Sequence, residues 1–176
     1  MKSSKTQKLV LAGILSGLAV IGSLISFPIL GSRASPIQHI INMICAVLLG
    51  PSYGVAVAFI ASLLRNLFGL GTIMAFPGSM IGAFLCGIIF SKTKNLFLTS
   101  LGEIVGTGIL GGLVAWPLAI LFLGESVGTL AFYAYVIPFL ISTITGTIIA
   151  VGIINILKQN NIITWLERSD RSNDRD

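Results

Sequence analysis

Residues 36–68 read PIQHIINMICAVLLGPSYGVAVAFIASLLRNLF. Two apolar runs, free of charge until Arg65, meet at the tight uncharged turn Gly50-Pro51-Ser52-Tyr53-Gly54, so the segment reads as a helical hairpin. Each arm holds about 14 to 16 residues, or about 21–24 Å of helix, against a hydrocarbon core of about 30 Å. With the turn near one membrane face, the far ends lie below the other. Those ends carry the polar residues. Folding about Pro51 and Ser52 brings His39 level with Leu64 and Gln38 level with Arg65. Helical spacing puts Gln38, His39 and Asn42 within about 100° of one face, and Ser62, Arg65 and Asn66 form a matching arc on the partner. The hairpin thus presents an amide, an imidazole and a guanidinium at a depth where an unpaired charge costs several kcal/mol. Each has a plainer alternative. Arg65 can snorkel to the headgroups, Gln38 and Asn42 can be interhelical glue, and His39 can be hydrogen-bonded packing. His39 is the chain's only histidine, which excludes a multi-histidine metal site.

The hairpin belongs to a chain of the same character. Hydrophobic residues make up 55 % and charged residues 10 %, with a mean hydropathy of +0.97, whereas an ordinary globular domain is about 25 % charged. Six spans are predicted: 8–30, 36–50, 52–68, 73–90, 96–123 and 130–157. Nine of the eleven basic residues fall in three clusters: Lys2, Lys5 and Lys8; Lys92 and Lys94; and Lys158, Arg168, Arg171 and Arg175. Basic residues beside short loops favour the cytoplasmic side, so both termini are expected there, and the net charge of +5 is topological rather than a nucleic-acid signal. The first run resembles a secretory signal, but at about 22 residues it is longer than a signal core and more spans follow. The fold class expected is therefore all-α, a polytopic membrane bundle over 1–157 with a polar cytoplasmic tail over 158–176, where Trp165 rests at the interface. Cys45 and Cys86 lie inside apolar runs and read as small packing residues.

Further candidates lie in the later spans. Pro77-Gly78 follows the Gly69-Leu70-Gly71-Thr72 connection and predicts a kinked or late-starting fourth helix, with flexible backbone over the polar cluster. Glu103 is the one acidic residue embedded in an apolar run, about 10 Å along its helix from Leu96, and an intramembrane carboxylate is a functional candidate. It can line the cavity floor, pair with Arg65 or a lysine, or be protonated. Thr107 lies one turn on. Gly102/Gly106 and Gly108/Gly112 permit close helix approach. Trp116 and Tyr133 read as either interface anchors or the aromatic wall of a site; an unkinked helix sets Trp116 about 180° from Thr107. Ser142, Thr143, Thr145 and Thr147 are expected to bond their own backbone. On the first span, Ala12, Gly13, Ser16 and Gly17 form a small-residue stripe on which another helix can dock.

Several of these segments together carry a resemblance. Ser35-Pro36-Ile37-Gln38-His39-Ile40-Ile41-Asn42, Leu49-Gly50-Pro51-Ser52-Tyr53-Gly54, Leu64-Arg65-Asn66, Ala75-Phe76-Pro77-Gly78 and Gly102-Glu103-Ile104-Val105-Gly106-Thr107-Gly108 resemble the ThiW-type substrate-binding (S) component of energy-coupling factor (ECF) transporters. The resemblance implies a six-helix subunit in a prokaryotic plasma membrane that binds a vitamin precursor, a thiazole such as hydroxyethylthiazole, and joins a coupling protein and two ATPases in an ABC importer. It also implies that Ala12 and Ser16 match the coupling motif and that the partners, not this chain, bind ATP. A small neutral heteroaromatic suits an aromatic wall with hydrogen bonds from Gln38, His39 or Asn42, while Arg65 points equally to a phosphorylated ligand. The alternatives are another vitamin, such as thiamine or a riboflavin-like one, or a self-sufficient ion-coupled carrier, although the halves show no repeat. An enzyme is not expected, because no nucleophile with its base and no metal set stands out.

Overall fold

The computed structural model describes residues 5–29, 32–124 and 131–160. The chain runs through α1 (Lys5–Gly22), a short antiparallel pair β1 (Phe27–Ile29) and β2 (Ser32–Ala34), α2 (Pro36–Leu48), α3 (Pro51–Leu67), α4 (Ala75–Thr93), α5 (Leu96–Glu103), a π-helical stretch (Ile104–Gly111), α6 (Gly112–Leu123) and α7 (Val136–Gln159). Because α5, the π stretch and α6 follow without a break, the helices form six rods. Four of the rods are long and apolar enough to cross a membrane, and α2 is a shorter apolar helix. At 13 and 17 residues, α2 and α3 reach only about 20 and 26 Å.

Three expectations about the helices are corrected. The first helix stops at Gly22 rather than near residue 30, and Pro28, which cannot continue a helix, sits in β1 opposite Arg33 of β2. This pair is the one departure from an all-α fold among the described residues. Pro77 does not interrupt α4: the helix starts at Ala75, so Pro77 falls in the first turn, where its missing N–H is not needed. The last helix begins at Val136 rather than 130, and Trp165 lies outside the described residues.

The bundle is polar inside and apolar outside. Large apolar side chains such as Leu9, Ile14, Leu18 and Ile21 of α1 and Ile144, Ile148 and Ile149 of α7 are exposed, a surface suited to lipid. The buried set includes Gln38, His39, Asn42, Ser62, Arg65, Ser79, Glu103, Thr107 and Ser142. Apolar clusters fill the rest, one around Met43, Cys86 and Ile154 of α2, α4 and α7 and another around Leu15, Cys45 and Val57 of α1, α2 and α3. α4 is central, packing on α2, α3, α5 and the π stretch.

Gly50, at a left-handed φ of 81°, closes the α2–α3 turn with its N–H on Cys45 O at 3.0 Å. Lysines of the three basic clusters gather at this end of the bundle. Lys94 and Lys158 lie 5.1 and 5.8 Å from the centre of the Phe90 ring, and Lys8 lies 5.9 Å from that of Tyr53, beside the turn.

Two glycine contacts set the geometry of the interior. α4 meets the π stretch backbone to backbone: a Cβ on Gly106 would lie 2.7 Å from Gly82 Cα, and one on Gly82 would fall on Thr107 Oγ1 and 2.7 Å from Glu103 Oε2. Across the bundle, a Cβ on Gly146 of α7 would lie 2.8 Å from His39 Cβ. Closeness at Gly82 brings Glu103 and Thr107 inward, and closeness at Gly146 seats Ser142, one turn earlier, against His39.

Candidate functional site

The ends of the short helices away from the Gly50 turn meet the middle of the long ones. His39 is nine residues, about 14 Å, from the far end of α2, and Glu103 is about 10 Å into its rod, so side chains from opposite directions arrive at one level. There they enclose a cavity of about 40 Å³ lined by Ser35, Gln38, His39, Arg65, Ala75, Ser79, Thr107, Phe139 and Ser142. That volume holds water-sized occupants, whereas ligand pockets begin at about 300 Å³. A ring-sized ligand therefore requires the walls to part. A larger groove of about 420 Å³ between α4 and α5 is lined by Leu85, Ile89, Thr93, Leu98, Leu101, Gly102 and Val105. It lacks converging polar groups and reads as lipid-facing surface.

Two hydrogen-bonded layers surround the small cavity. In the first, Arg65 Nη1 donates to Gln38 Oε1 in a close contact, which is the pairing expected from the hairpin register. Gln38 Nε2 donates to Ser62 Oγ at 3.4 Å, Ser62 and Ser79 hydroxyls lie 2.9 Å apart, and Ser79 Oγ donates to Phe76 O at 3.1 Å. The protons run one way along this chain, from Gln38 to the start of α4. Asn66 holds the neighbouring connection, donating to Ser62 O at 2.8 Å and Thr72 O at 3.2 Å.

The second layer lies beneath and centres on Glu103, which is fully buried. Its Oε1 accepts from His39 Nδ1 at 2.9 Å, Asn42 Nδ2 at 2.9 Å and Thr107 Oγ1 at 3.0 Å, while its Oε2 accepts from Cys86 Sγ at 3.1 Å. His39 Nε2 meets Ser142 Oγ at 3.1 Å, and Ser142 Oγ accepts from the Ser35 backbone N–H at 3.0 Å. Such a carboxylate is tolerable at membrane depth because donors surround it.

The sequence-predicted residues divide accordingly. Gln38, His39, Arg65 and Thr107 line the cavity. Asn42 and Glu103 lie in the layer below, and Glu103 pairs with His39 rather than with Arg65 or a lysine. Asn66 is used in tying down a connection. Trp116 and Tyr133 are outside the cavity, Tyr133 being 53 % exposed with its ring edge-on to Phe132; the aromatic in the wall is Phe139. Ser35, Ser79 and Ser142 were not expected to line it. Thr143 and Thr145 do bond the backbone of Phe139 and Ile141, and Thr147 that of Thr143, but Ser142 turns inward to His39.

The stripe on α1 also divides. Ser16 is buried and donates to Ala12 O at 2.8 Å, and Ala12 is half-buried against the α1–α3 core. Gly13 is exposed, and a Cβ on Gly13 or Gly17 would meet nothing within 4 Å. Among the described residues, no group of three or more His, Cys, Asp or Glu side chains is placed to hold a metal ion.

A search of curated proteins finds no match. A family model described as thiamine-precursor transporter protein (ThiW) matches residues 9–160, from the second turn of α1 to the end of α7. The buried polar site, the lipid-suited exterior and this match agree: the chain belongs to the ThiW family of thiamine-precursor transporter proteins.

Proposed function

We propose that this multi-pass membrane transporter is the substrate-binding subunit of an ECF-type importer, which captures an uncharged, hydroxyethylthiazole-like precursor from outside the cell. The observation that carries this reading is the convergence of Ser35, Gln38, His39, Arg65, Ser79 and Ser142, with the Phe139 ring, on one cavity at the outer ends of two short helices. A small heteroaromatic with a hydroxyl arm matches such a wall: the ring packs on Phe139 and its nitrogen and hydroxyl take the hydrogen bonds. Entry proceeds from the side of the 68–74 connection, whose Asn66 tether must yield for the cavity to enlarge.

In this reading all six rods cross a prokaryotic plasma membrane with both termini in the cytoplasm. The gathering of Lys8, Lys94 and Lys158 at the Gly50 end supports that orientation. Residues 1–157 form the binding domain and 158–176 a polar cytoplasmic tail. Energy for release comes from partner ATPases, which bind the ATP, through a coupling subunit that docks on α1. The open face of Gly13 and Gly17 supports a close helix contact there, with Ala12 and Ser16 shaping its inner edge.

Calorimetry on the chain purified in detergent tests the substrate. Saturable binding of hydroxyethylthiazole, lost in His39→Ala, is expected; binding of thiamine or riboflavin in its place would reassign the substrate. Reconstitution with and without the coupling and ATPase subunits tests the rest, because uptake by the chain alone would make it a self-sufficient carrier.

A further inference from the structure

The apolar groove between α4 and α5 has one charged end. At about 420 Å³ it falls within the size range of ligand pockets, about 300–1,000 Å³. Its floor is Gly102: a Cβ there would lie 2.6 Å from Ile89 Cδ1 and 3.5 Å from Cys86 N, so α5 rests directly on α4 and Leu85, Leu98, Leu101 and Val105 stand as walls. Leu98, Leu101 and Val105 are exposed, so the groove opens outward from the bundle. From Thr93 to Leu85 it runs about 12 Å along α4.

At 3.6 residues per turn, Leu85, Ile89, Lys92 and Thr93 share about 100° of α4, which sets Lys92 at the Thr93 end of the groove and on its face. The turn beyond is closed on itself. Thr93 Oγ1 donates to Ile89 O at 2.8 Å and accepts from the Asn95 N–H at 3.2 Å, Asn95 Oδ1 accepts from the Phe97 and Leu98 N–H groups, and the Lys94 N–H donates to Phe90 O at 2.9 Å. Hydrogen bonds are therefore met within the turn, but charge is not. Lys92 and Lys94 are exposed, and Lys94 and Lys158 share the Phe90 ring. Among the described residues the one acidic side chain is Glu103, buried against His39.

We propose that this groove binds an anionic phospholipid from the leaflet at the Gly50 end of the bundle, one acyl chain lying between α4 and α5 and the phosphate meeting Lys92, with Lys94 beside it. The match is one of shape and charge. An acyl chain asks for no hydrogen bonds, and the walls of the groove are aliphatic along their length. A phosphate asks for a cation, and the groove is headed by two lysines without a described acid to pair them. Each lysine beside a membrane surface favours an anionic over a neutral lipid by about 5-fold. The site needs only the membrane setting and stands or falls apart from the thiazole reading.

Native mass spectrometry of the full chain in detergent, titrated with phosphatidylglycerol and with phosphatidylcholine of the same acyl chains, is the test. Wild type is expected to hold one phosphatidylglycerol about 5- to 25-fold more tightly than phosphatidylcholine. Replacing both lysines, Lys92→Gln with Lys94→Gln, is expected to remove that preference. Lys8→Gln, which takes a lysine from the same end of the bundle but from beside Tyr53, is expected to keep it. Leu98→Trp, which fills the groove from an exposed position, is expected to weaken both lipids. Equal binding of the two lipids by wild type overturns the proposal, and binding of neither overturns it in favour of a protein partner on this face. A preference that survives the double lysine substitution, or that falls as far in Lys8→Gln, overturns the headgroup placement, because the charge of that end then acts diffusely. Undiminished lipid binding by Leu98→Trp overturns the groove as the seat of the chain. Should Leu98→Trp not fold, Leu101→Phe on the same wall takes its place and is read the same way.

Discussion

Replacing Gly82 by alanine adds one methyl group where the interior has no room for it. The new Cβ would fall on Thr107 Oγ1, 2.7 Å from Glu103 Oε2 and 3.1 Å from Glu103 Cδ, while from the other side Gly106 already rests on Gly82 Cα. The methyl meets a hydroxyl and a carboxylate that are themselves fixed by His39, Asn42 and Gly78, so α4 and the π stretch must separate. Overpacking of this kind costs about 1–3 kcal/mol. Loss of the Thr107–Glu103 hydrogen bond in a buried site adds about 1–3 kcal/mol, and the better helix propensity of alanine returns about 1 kcal/mol. The net destabilisation is then about 1–5 kcal/mol, the three terms being of opposite sign and similar size. Gly152→Ala is the control, since a Cβ there meets nothing within 4 Å and the helix gains the propensity alone. Thermal unfolding of both variants in one detergent, followed by ligand calorimetry, is the assay. Gly82→Ala should unfold at a lower temperature than wild type and lose ligand affinity, while Gly152→Ala should match or exceed wild type. A Gly82→Ala protein as stable and as competent as Gly152→Ala would refute the glycine-on-glycine account of the site.

Three further outcomes follow from the placement of particular side chains. Ser35→Ala removes a buried hydroxyl that has no hydrogen-bond partner, so thermal stability should be unchanged or slightly raised while affinity falls about tenfold; a stability loss without an affinity loss would contradict its assignment to the ligand. Trp116→Phe and Tyr133→Phe lie away from the cavity lining and should leave affinity within about twofold, the scale of a ±0.5 kcal/mol surface change, by the same calorimetry. Gly13→Leu should leave folding and ligand binding intact, because nothing stands within 4 Å of that Cβ, but abolish uptake by the reconstituted complex; normal uptake would remove α1 as the docking face.

Much of the hairpin was legible because its signals are local. The Gly50-Pro51 turn, the short arms and the Gln38–Arg65 register all follow from counting residues along two helices. The end of α1 was not legible in the same way, since hydropathy continues past Gly22 and only the placement of Pro28 in a strand distinguishes the two halves of the run. The polar depth of the site was visible in Gln38, His39 and Arg65, but its far wall was not. Ser142 looks like its neighbours Thr143 and Thr145, and what turns it inward is the approach of α7 to α2 at Gly146, a tertiary fact. Likewise the π stretch has no periodic signature, and Phe139, rather than Trp116 or Tyr133, supplies the ring because of how α7 faces the cavity.

The central claim is that one cavity, walled by Ser35, Gln38, His39, Arg65, Ser79 and Ser142, is where the thiamine precursor binds. The most direct measurement is calorimetric titration of hydroxyethylthiazole into the purified wild-type chain, His39→Ala and Trp116→Phe. Saturable binding by wild type and Trp116→Phe with loss in His39→Ala is the predicted result, and retention of full affinity by His39→Ala would contradict it.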